Sequence, residues 1–248
     1  MIHVLLPAFN EEPQIAPLLE GIRDVLQGSG REYRIVLVDD GSSDNTAAVA
    51  ARVGDSCVLA LTILRHPVNQ GLAAALRTGL GEIVRTAAGE DVVITMDADN
   101  THPPGLMPLM ADRIAAGSDL VVASRYRRGS RVIGVPLQRR LLSDAASIVF
   151  RLLFPLRGVR DYTYGYQTYR AALLGKMHAD LGEALISERG FSCMADLLLK
   201  ARAYSPVAAE VPLVLRYDLK QGQSKMKVGR TVRDSLLLIL KRRFTRLS

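Results

Sequence analysis

Residues 92–104, with the sequence VVITMDADNTHPP, set the architecture of this chain. The stretch begins with apolar β-branched residues, which are typical of a buried strand, and its two final prolines cannot continue a sheet ladder. Because residues two apart on an extended chain face the same way, Asp97 and Asp99 converge on one point. Paired carboxylates repel each other unless a cation or a proton neutralises them, and their hard oxygens suit Mg²⁺ or Mn²⁺. An isolated Asp-x-Asp is most often only a polar loop, so the surrounding sequence has to support a site.

Apolar strands and amphipathic helices alternate along the first half of the chain. The pattern predicts strands at 2–6, 35–38, 58–64, 92–96 and 120–123, and helices at about 13–27, 46–53, 70–85 and 106–116. Such alternation, with continuous apolar strands, predicts an α/β fold whose mostly parallel sheet is covered by helices on both faces. Ligands of these sheets collect at the carboxyl ends of the strands. Four strands are followed by polar clusters that predict a single site there, namely Asn10-Glu11, Asp39-Asp40, Asp97 with Asp99, and Ser124-Arg125.

The second half of the chain alternates less regularly. Residues 130–137 contain Gly and Pro and predict a loop, whereas residues 161–169 are rich in aromatic side chains and are compatible with an extended segment. Further elements are expected as helices at 138–154, 191–204 and 231–244, a strand at 208–215 and a basic loop at 218–229. The last helix has a leucine-rich middle and a Lys-Arg-Arg end, so it either packs on the core or lies on an anionic lipid surface.

The overall composition is that of an ordinary soluble globular protein, with 48% hydrophobic and 23% charged residues among 248. Two cysteines, Cys57 and Cys193, are too few for a disulfide framework, and we expect buried, reduced thiols of a cytosolic protein. Neither a signal peptide nor a membrane-spanning run is visible. The sequence contains neither a G-x-G-x-x-G fingerprint nor a P-loop, which argues against those two classes of nucleotide-binding protein.

The net charge of +7 is concentrated in two segments. Residues 125–160 contain nine arginines and one acidic residue, and residues 220–248 contain nine lysines or arginines and one acidic residue. The rest of the chain is net acidic, so the sequence predicts a directed contact with something anionic rather than a generally adhesive surface. The basic residues flank a helix of the kind that lies on a lipid surface, and the sequence contains no nucleic-acid recognition motif. We therefore expect no nucleic-acid partner.

Several motifs, taken together and in this order, resemble family 2 glycosyltransferases of the GT-A fold. They are PAFNEE at 7–12, VDDGSSD at 38–44, NQGL at 69–72 and DAD at 97–99. Within that family the chain is similar to the dolichol-phosphate mannose synthases and their bacterial polyprenyl-phosphate relatives. The segments that carry this closer resemblance are DADNTHPP at 97–104, SRY at 124–126, residues 136–143 and GQSK at 222–225.

The resemblance implies a single Rossmann-like, mostly parallel GT-A sheet sandwiched between helices and followed by a C-terminal amphipathic helix. It implies a catalytic domain at 1–215, with a nucleotide-sugar half at 1–124 and an acceptor half at 125–215, and a basic loop with a membrane-associating helix at 216–248. The implied reaction is the inverting transfer of a hexose, with mannose from GDP-mannose favoured, to dolichyl or undecaprenyl phosphate. Such an enzyme would lie peripherally on an anionic membrane surface, at the cytoplasmic face.

The same resemblance assigns the residues of the site. Asp97 and Asp99 would hold Mg²⁺ or Mn²⁺, and Asp99 and Arg125 would take part in catalysis. The nucleotide-sugar donor would be bound by Asp97 together with Pro7, Phe9, Glu11, Val38, Asp40, Ala98, Arg216 and Lys225. The acceptor phosphate would be bound by Arg128, Arg131, Arg139 and Ser143.

Some of these assignments have simpler alternatives that the sequence leaves open. Glu11 could instead complement the dipole of the first helix, and Asp39 or Asp44 could cap the second helix. His102 is explained equally well by a hydrogen-bonded structural role and by a place in the site. Thr101 stands where some relatives carry a Gln that binds the metal.

The acceptor determines which catalytic groups the reaction needs. A lipid phosphate is already an anion at neutral pH, with a second pKa near ~6, so its oxygen can attack without a general base. The alternative is transfer from a UDP-sugar to a saccharide or lipid hydroxyl, for which Asp196 would be the base. A third hypothesis, a non-catalytic nucleotide-sugar-binding or membrane-scaffold protein, is disfavoured by the intact acidic pair.

Overall fold

Strands and helices alternate through most of the chain. The structure, a computed structural model, describes residues 1–188, 190, 192–217 and 228–244, without the side chains of residues 216, 228–232 and 244. The strands are β1 (Ile2–Ala8), β2 (Tyr33–Asp39), β3 (Leu61–Arg65), β4 (Val92–Thr95), β5 (Leu120–Ser124), β6 (Arg131–Ile133), β7 (Gln167–Arg170), β8 (Ala208–Pro212) and β9 (Val214–Arg216). The helices are α1 (Glu12–Gly28), α2 (Thr46–Ser56), α3 (Leu72–Thr86), α4 (Met107–Ala115), α5 (Leu137–Leu153), α6 (Ala171–Leu181), α7 (Ser192–Arg202) and α8 (Val228–Phe244).

The large sheet has seven strands in the order β3-β2-β1-β4-β7-β5-β8. Neighbouring strands are parallel, except that β7 runs antiparallel to both β4 and β5. The predicted mostly parallel sheet, with flanking helices and a helix at the C-terminal end, is therefore confirmed. The carboxyl ends of β1, β2, β4 and β5 lie at one edge of this sheet, which is where the predicted polar clusters are found.

Two hydrophobic cores cover the two faces of the sheet. Because successive side chains of a strand point to opposite faces, Val4 and Leu6 of β1 join the core beneath α1, α2 and α4, while Leu5 joins the core beneath α3 and α5–α8. All three side chains are fully buried, and each such burial stabilises the fold by about 1.5–3 kcal/mol. The strand ends that carry the polar clusters are thus supported from both sides.

The second half differs from the prediction in three places. Residues 131–133, predicted as part of a loop, form β6, which pairs in parallel with β9 as a separate small sheet. The predicted strand at 208–215 is interrupted at Leu213, so β8 extends the large sheet while β9 joins β6. Helix α6 follows β7 without a loop and has no counterpart in the prediction. Short, half-exposed strands lack the alternation that sequence patterns detect.

The two cysteines are free but differ in burial. Cys193 is buried as expected, and its burial raises the pKa of the thiol to about 12. Cys57 is only half-buried, which corrects the prediction. It follows the end of α2, and the guanidinium of Arg23 on α1 donates a hydrogen bond to its Sγ (2.9 Å).

Helix α8 packs against α5 and α7 and has two apolar sides. Leu238 and Ile239 are buried, whereas Leu236, Leu237 and Leu240 are each 55% exposed. The buried side chains thus suit packing on the core, and the exposed leucines suit contact with a lipid surface. In the part of the chain that the structure describes, no helix combines the length and the apolar character needed to cross a bilayer. The predicted basic loop lies outside the described residues, apart from 228–229, which belong to α8.

Candidate active site

The loop after β4 carries the acidic pair, and its shape fixes Asp99. The Oδ1 atom of Asp99 accepts hydrogen bonds from the N–H (3.1 Å) and the hydroxyl (2.6 Å) of Thr101. Both side chains are buried. Asn100 between them has a φ of 59°, in the left-handed region that asparagine tolerates better than most residues. Thr101 is therefore a positioning residue for one oxygen of Asp99.

His102 supports Asp97 from inside the protein. Its Nδ1 accepts a hydrogen bond from the N–H of Asp97 (3.0 Å), and its Nε2 lies 3.5 Å from Asp97 Oδ2. The buried imidazole packs against the rings of Tyr164 and Tyr166, whose centroids are 4.7 and 5.0 Å away. Because Nδ1 accepts a hydrogen bond, a neutral imidazole carries its proton on Nε2, towards the carboxylate. These contacts favour the structural role of His102, as a positioning residue for Asp97.

Tyr164 brings an unsatisfied polar atom to the same place. Its hydroxyl is buried and has no hydrogen-bond partner within the described ranges, although buried hydroxyls are nearly always paired. Burial, and next the negative charge of Asp97, raise the pKa of this phenol well above its ordinary value. The next residue is Gly165, where a Cβ would lie 3.8 Å from Asp97 Oδ1. The segment before β7 therefore forms a wall of the site beside the acidic pair.

The acidic pair fits a divalent cation that is shared with a ligand. Asp97 is 35% exposed, and the bonds from Thr101 use one oxygen of Asp99. No three His, Cys, Asp or Glu side chains of the described residues come together as a metal cage. Mg²⁺ commonly takes one or two carboxylates and completes its coordination with phosphate oxygens and water. Two carboxylates beside an unsatisfied tyrosine hydroxyl match that pattern.

Asp40, at the end of β2, is held by the loop between β3 and α3. Its carboxylate accepts hydrogen bonds from the N–H groups of Gln70 (3.0 Å) and Gly71 (2.7 Å) and from Nδ1 of His66 (2.7 Å). A carboxylate offers about four acceptor positions, so these contacts use most of them. Asp40 thus ties the NQGL motif to β2. Its predicted contact with the nucleotide sugar would use the remaining position.

The turn after Asp40 depends on a glycine and on a second carboxylate. Gly41 has a φ of 70°, and a Cβ there would lie 2.4 Å from the carbonyl carbon of Val68. Only glycine fits this close approach. Asp44 Oδ1 accepts the N–H of Thr46 (3.0 Å), the first residue of α2. Asp44 therefore satisfies one of the open N–H groups of that helix, as the sequence allowed.

The other residues predicted to bind the nucleotide sugar lie along this edge of the sheet. Pro7 of β1 and Val38 of β2 are register partners, and Phe9 and Glu11 follow β1 directly. Ala98 is buried between the two acidic residues in sequence. The structure brings these residues to one edge, and their contact with a donor stays a prediction. Two further predicted members lie outside the described residues, the side chain of Arg216 and the whole of Lys225.

Arg125, predicted as a catalytic cation, is held by a buried carboxylate. Its Nε and Nη2 donate to the two oxygens of Asp161 (2.8 and 2.6 Å), and its Nη1 and Nη2 donate to Ser143 and Thr163 (both 2.7 Å). Burial alone would lower the pKa of Arg125, but the charge and hydrogen bonds of Asp161 raise it above its ordinary value. The guanidinium lies 5.2 Å from the centroid of the Tyr164 ring. Arg125 is therefore a rigid positive charge, with four of its five N–H donors used within the protein.

The residues predicted to bind the acceptor phosphate fall into three environments. Ser143 of α5 is bonded to Arg125. Arg139, one helical turn earlier, donates from Nη1 to the hydroxyl of Tyr217 after β9 (2.6 Å). Arg128 and Arg131 are exposed, in the turn after β5 and on β6. The structure thus joins Ser143 directly to Arg125 and leaves the phosphate contacts of the three arginines as predictions.

Asp196, the base that a hydroxyl acceptor would require, is fully buried between two cations. Arg242 of α8 donates from Nε to Oδ1 (2.7 Å), and its Nη2 lies 2.6 Å from the same oxygen. Lys200 Nζ lies 2.6 Å from Oδ2, which also accepts a hydrogen bond from the Ser187 hydroxyl (3.0 Å). Donors occupy both oxygens, so Asp196 joins α8 to α7 through its ion pairs.

The carboxylates that orient Arg125 were not predicted from the sequence. The N–H groups of Arg160 and Asp161 both donate to Glu210 Oε1 (2.6 and 2.8 Å), so a buried glutamate of β8 fixes the segment that carries Asp161. The sequence offers one weak signal for this pair. Asp161 is the first acidic residue after Asp144 and directly follows the arginine-rich segment at 125–160.

Glu210 should make the stability of the fold depend on pH. Burial raises the pKa of Glu210 above its ordinary value, and the hydrogen bonds from Arg160 and Asp161 only partly oppose this shift. The contribution of a carboxyl group with a raised pKa is complete below its unfolded-state pKa, about 4.3, and is lost as the pH rises through the folded-state pKa. We therefore expect Glu210→Gln to gain in melting temperature relative to the wild type between about pH 4 and pH 7. Thermal denaturation followed by circular dichroism tests this, and a difference that stays constant with pH would contradict it.

One family model covers most of the chain. Residues 3–177 match the family model described as Glycosyl transferase family 2. The chain belongs to glycosyl transferase family 2. Two relatives extend this family likeness over 236 residues, which is 95% of the chain. One is a dolichol-phosphate mannosyltransferase of Pyrococcus furiosus, at 32% identity, and the chain spans only 61% of its length. The other is a polyprenol monophosphomannose synthase of Mycolicibacterium smegmatis, at 30% identity and with 84% of its length covered.

A solved structure confirms the GT-A fold of this family 2 member. It is glucosyl-3-phosphoglycerate synthase from Mycobacterium tuberculosis in complex with Mn²⁺, uridine diphosphate and phosphoglyceric acid. The two chains superpose with a TM-score of 0.69, covering 100% of this chain and 80% of the other, at 22% sequence identity. At that identity the likeness concerns the fold alone.

Proposed function

We propose that this family 2 glycosyltransferase moves a hexose from a nucleotide sugar to a polyprenyl phosphate, with mannose from GDP-mannose as the favoured donor. The observation that carries the proposal is that Asp196 is buried and ion-paired. This residue, which a hydroxyl acceptor would need as its general base, is held by Arg242 and Lys200. A phosphate acceptor needs no such base, because it is already an anion at neutral pH.

The names of the relatives support the same choice. The Pyrococcus protein is named for mannosyl transfer to dolichol phosphate, and the Mycolicibacterium protein for synthesis of polyprenol monophosphomannose. Neither name specifies the base of the donor. The solved structure of the glucosyl-3-phosphoglycerate synthase holds uridine diphosphate, so a UDP-sugar is the competing donor and has to be tested directly.

In the proposed reaction, an oxygen of the acceptor phosphate attacks the anomeric carbon of the sugar. The bond between that carbon and the diphosphate breaks, and the configuration inverts. A divalent cation bound by Asp97 and Asp99 would neutralise charge on the departing diphosphate. Thr101 and His102 hold the two carboxylates in position. Arg125, held in place by Asp161, keeps one N–H donor that would bind the acceptor phosphate.

An exposed apolar surface supports a position at the membrane. On α5, four residues at helical spacing form one stripe, the α5 stripe, and are 48–73% exposed: Leu137, Leu141, Ile148 and Leu152. The exposed leucines of α8 belong to the neighbouring helix. A helix of a soluble protein normally buries such a stripe. We therefore infer that α5 and α8 rest on the cytoplasmic face of an anionic membrane, from which the lipid acceptor reaches the site.

A transfer assay with purified protein tests the proposal. Labelled GDP-mannose, Mg²⁺ or Mn²⁺ and a short polyprenyl phosphate should yield a lipid-linked mannose with inverted anomeric configuration. A panel of GDP- and UDP-sugars, scored by thermal shift with Mn²⁺ and by turnover, identifies the donor. Transfer to a saccharide hydroxyl without transfer to polyprenyl phosphate would contradict the proposal. Donor binding without turnover on any acceptor would favour the non-catalytic hypothesis.

Arg139→Gln should weaken binding of the acceptor and leave the donor unaffected. A hydrogen bond to a charged group contributes about 1.5–3 kcal/mol, so the KM for polyprenyl phosphate should rise about ten- to a hundredfold. The KM for the nucleotide sugar and the kcat should change little. The matched control is Arg140→Gln on the same helix, which removes an exposed charge. Equal KM changes in both variants would refute a specific role for Arg139.

A further inference from the structure

An arginine-lined pocket of about 480 Å³ lies apart from the site described above. We call this depression the arginine pocket, because its lining residues include Arg127, Arg151, Arg157 and Arg160. None of the residues that hold the acidic pair or Arg125 lines this pocket. The transfer reaction leaves these four arginines without a role, although they belong to the basic segment that stands out in the sequence.

The arginine pocket carries positive charge that the protein does not neutralise. All four arginines are exposed, and within the described residues their side chains have no hydrogen bond or ion pair to another group. Two nearby carboxylates do not form ion pairs with these arginines. Asp161 binds Arg125, and Glu210 binds backbone N–H groups. Like charges that converge on one depression repel each other, so a bound anion would stabilise this arrangement.

The loop that carries Arg157 and Arg160 is held firmly in place. The N–H of Arg160 donates to Glu210, as described above. Gly158 has a φ of 93°, and a Cβ there would lie 2.0 Å from the carbonyl oxygen of Ala208 on β8. The backbone of this loop is thus packed directly against the sheet. Arginines presented by a fixed backbone lose less conformational entropy when they bind a ligand.

The arginine pocket also adjoins an apolar surface. Arg151 is followed on α5 by Leu152 and Leu153, which are 73% and 39% exposed. Pro155 and Leu156 belong to the lining of the pocket itself. A ligand with an anionic head and an apolar tail matches both features. A free anion or a nucleic acid would use only the arginines.

We propose that the arginine pocket binds the phosphate headgroup of an anionic phospholipid, whose acyl chains lie along the exposed end of α5. The inference rests on the proposed membrane position of α5 and gives that position a specific lipid contact. Its role is to keep the enzyme on an anionic membrane surface, with the active site oriented towards the lipid acceptor.

Vesicle binding by the full chain tests the arginine pocket. Wild-type protein should bind phosphatidylcholine vesicles that contain phosphatidylglycerol, and bind pure phosphatidylcholine vesicles poorly. The double variant R157Q/R160Q should bind the mixed vesicles at least about tenfold more weakly. Arg151→Gln, which changes the pocket from α5, should weaken binding about fivefold. The matched control is R52Q/R113Q, which removes two exposed arginines of α2 and α4 on the other face of the sheet and should bind like the wild type.

Three results would overturn the proposal. They are unchanged vesicle binding by R157Q/R160Q, an equal loss in R157Q/R160Q and R52Q/R113Q, and loss of binding to inorganic phosphate or to an oligonucleotide without loss of vesicle binding. A second assay separates this proposal from the transfer function. With a short acceptor dispersed in detergent and no vesicles, R157Q/R160Q should transfer sugar at the wild-type rate. If no acceptor is turned over but vesicle binding still depends on the arginines, the transferase proposal fails and the lipid site stands.

Discussion

Replacing Asp99 by Asn should reduce the rate of sugar transfer by roughly a hundred- to a thousandfold. The substitution removes the negative charge that a divalent cation needs, yet the amide oxygen can still accept the hydrogen bonds from Thr101. The loop after β4 should therefore keep its shape. Initial rates with GDP-mannose and polyprenyl phosphate measure the loss. The affinity for Mn²⁺ in the presence of nucleoside diphosphate, measured by electron paramagnetic resonance, should fall in parallel.

Two further variants sharpen the interpretation of the Asp99 result. Asp55→Asn removes an exposed carboxylate from α2 and should change neither the rate nor the Mn²⁺ affinity. Thr101→Val removes the hydroxyl that positions Asp99 and should give a smaller loss of both. Full Mn²⁺ affinity in the Asp99 variant would remove the metal assignment.

Asp196→Asn should lower the free energy of unfolding by about 3–5 kcal/mol, because it leaves Lys200 and Arg242 without the anion that they share. For a chain of this size the melting temperature should fall by roughly 10 °C. At temperatures where the variant is folded, kcat should fall by less than about tenfold, since the residue is not expected to transfer a proton. Calorimetry and transfer assays on the same preparation measure both effects.

A double-mutant cycle distinguishes an ion pair from a catalytic base. Arg242→Gln alone should also destabilise the protein, and the double variant D196N/R242Q should lose less than the sum of the single losses. A variant of Asp196 that melts like the wild type but transfers sugar roughly a hundred- to ten-thousandfold more slowly would show the opposite. That result would identify a general base and restore the hydroxyl-acceptor alternative.

The first half of the fold could be predicted because its signals are local. Each strand before residue 125 is a short, mainly apolar run, and four of them have polar residues at their end or within two residues of it, which the parallel sheet brings to one edge. The acidic pair belongs to this class, since Asp97 and Asp99 follow β4 in sequence as well as in space. The resemblance to a known family then supplied roles that alternation alone does not contain.

The features that the sequence did not predict depend on contacts between distant residues. Arg125 and Asp161 are 36 positions apart, and Asp196 and Arg242 are 46 apart. Such ion pairs leave no periodic pattern, and a buried carboxylate looks like any other until its partner is known. The antiparallel direction of β7 is equally non-local, because four residues carry too little pattern to show how they will pair.

The place of β7 in the sheet affects how the chain folds during its synthesis. In the described sheet this strand lies between β4 and β5 and pairs with both of them, so that β4 and β5 are joined only through it. A chain emerging from the ribosome has finished β4 and β5 long before residue 170 appears. Until then both strands present open edges, which invite intermolecular pairing and aggregation. The first half of the chain therefore remains prone to aggregation until translation has passed residue 170, and chaperones would be needed most during this interval.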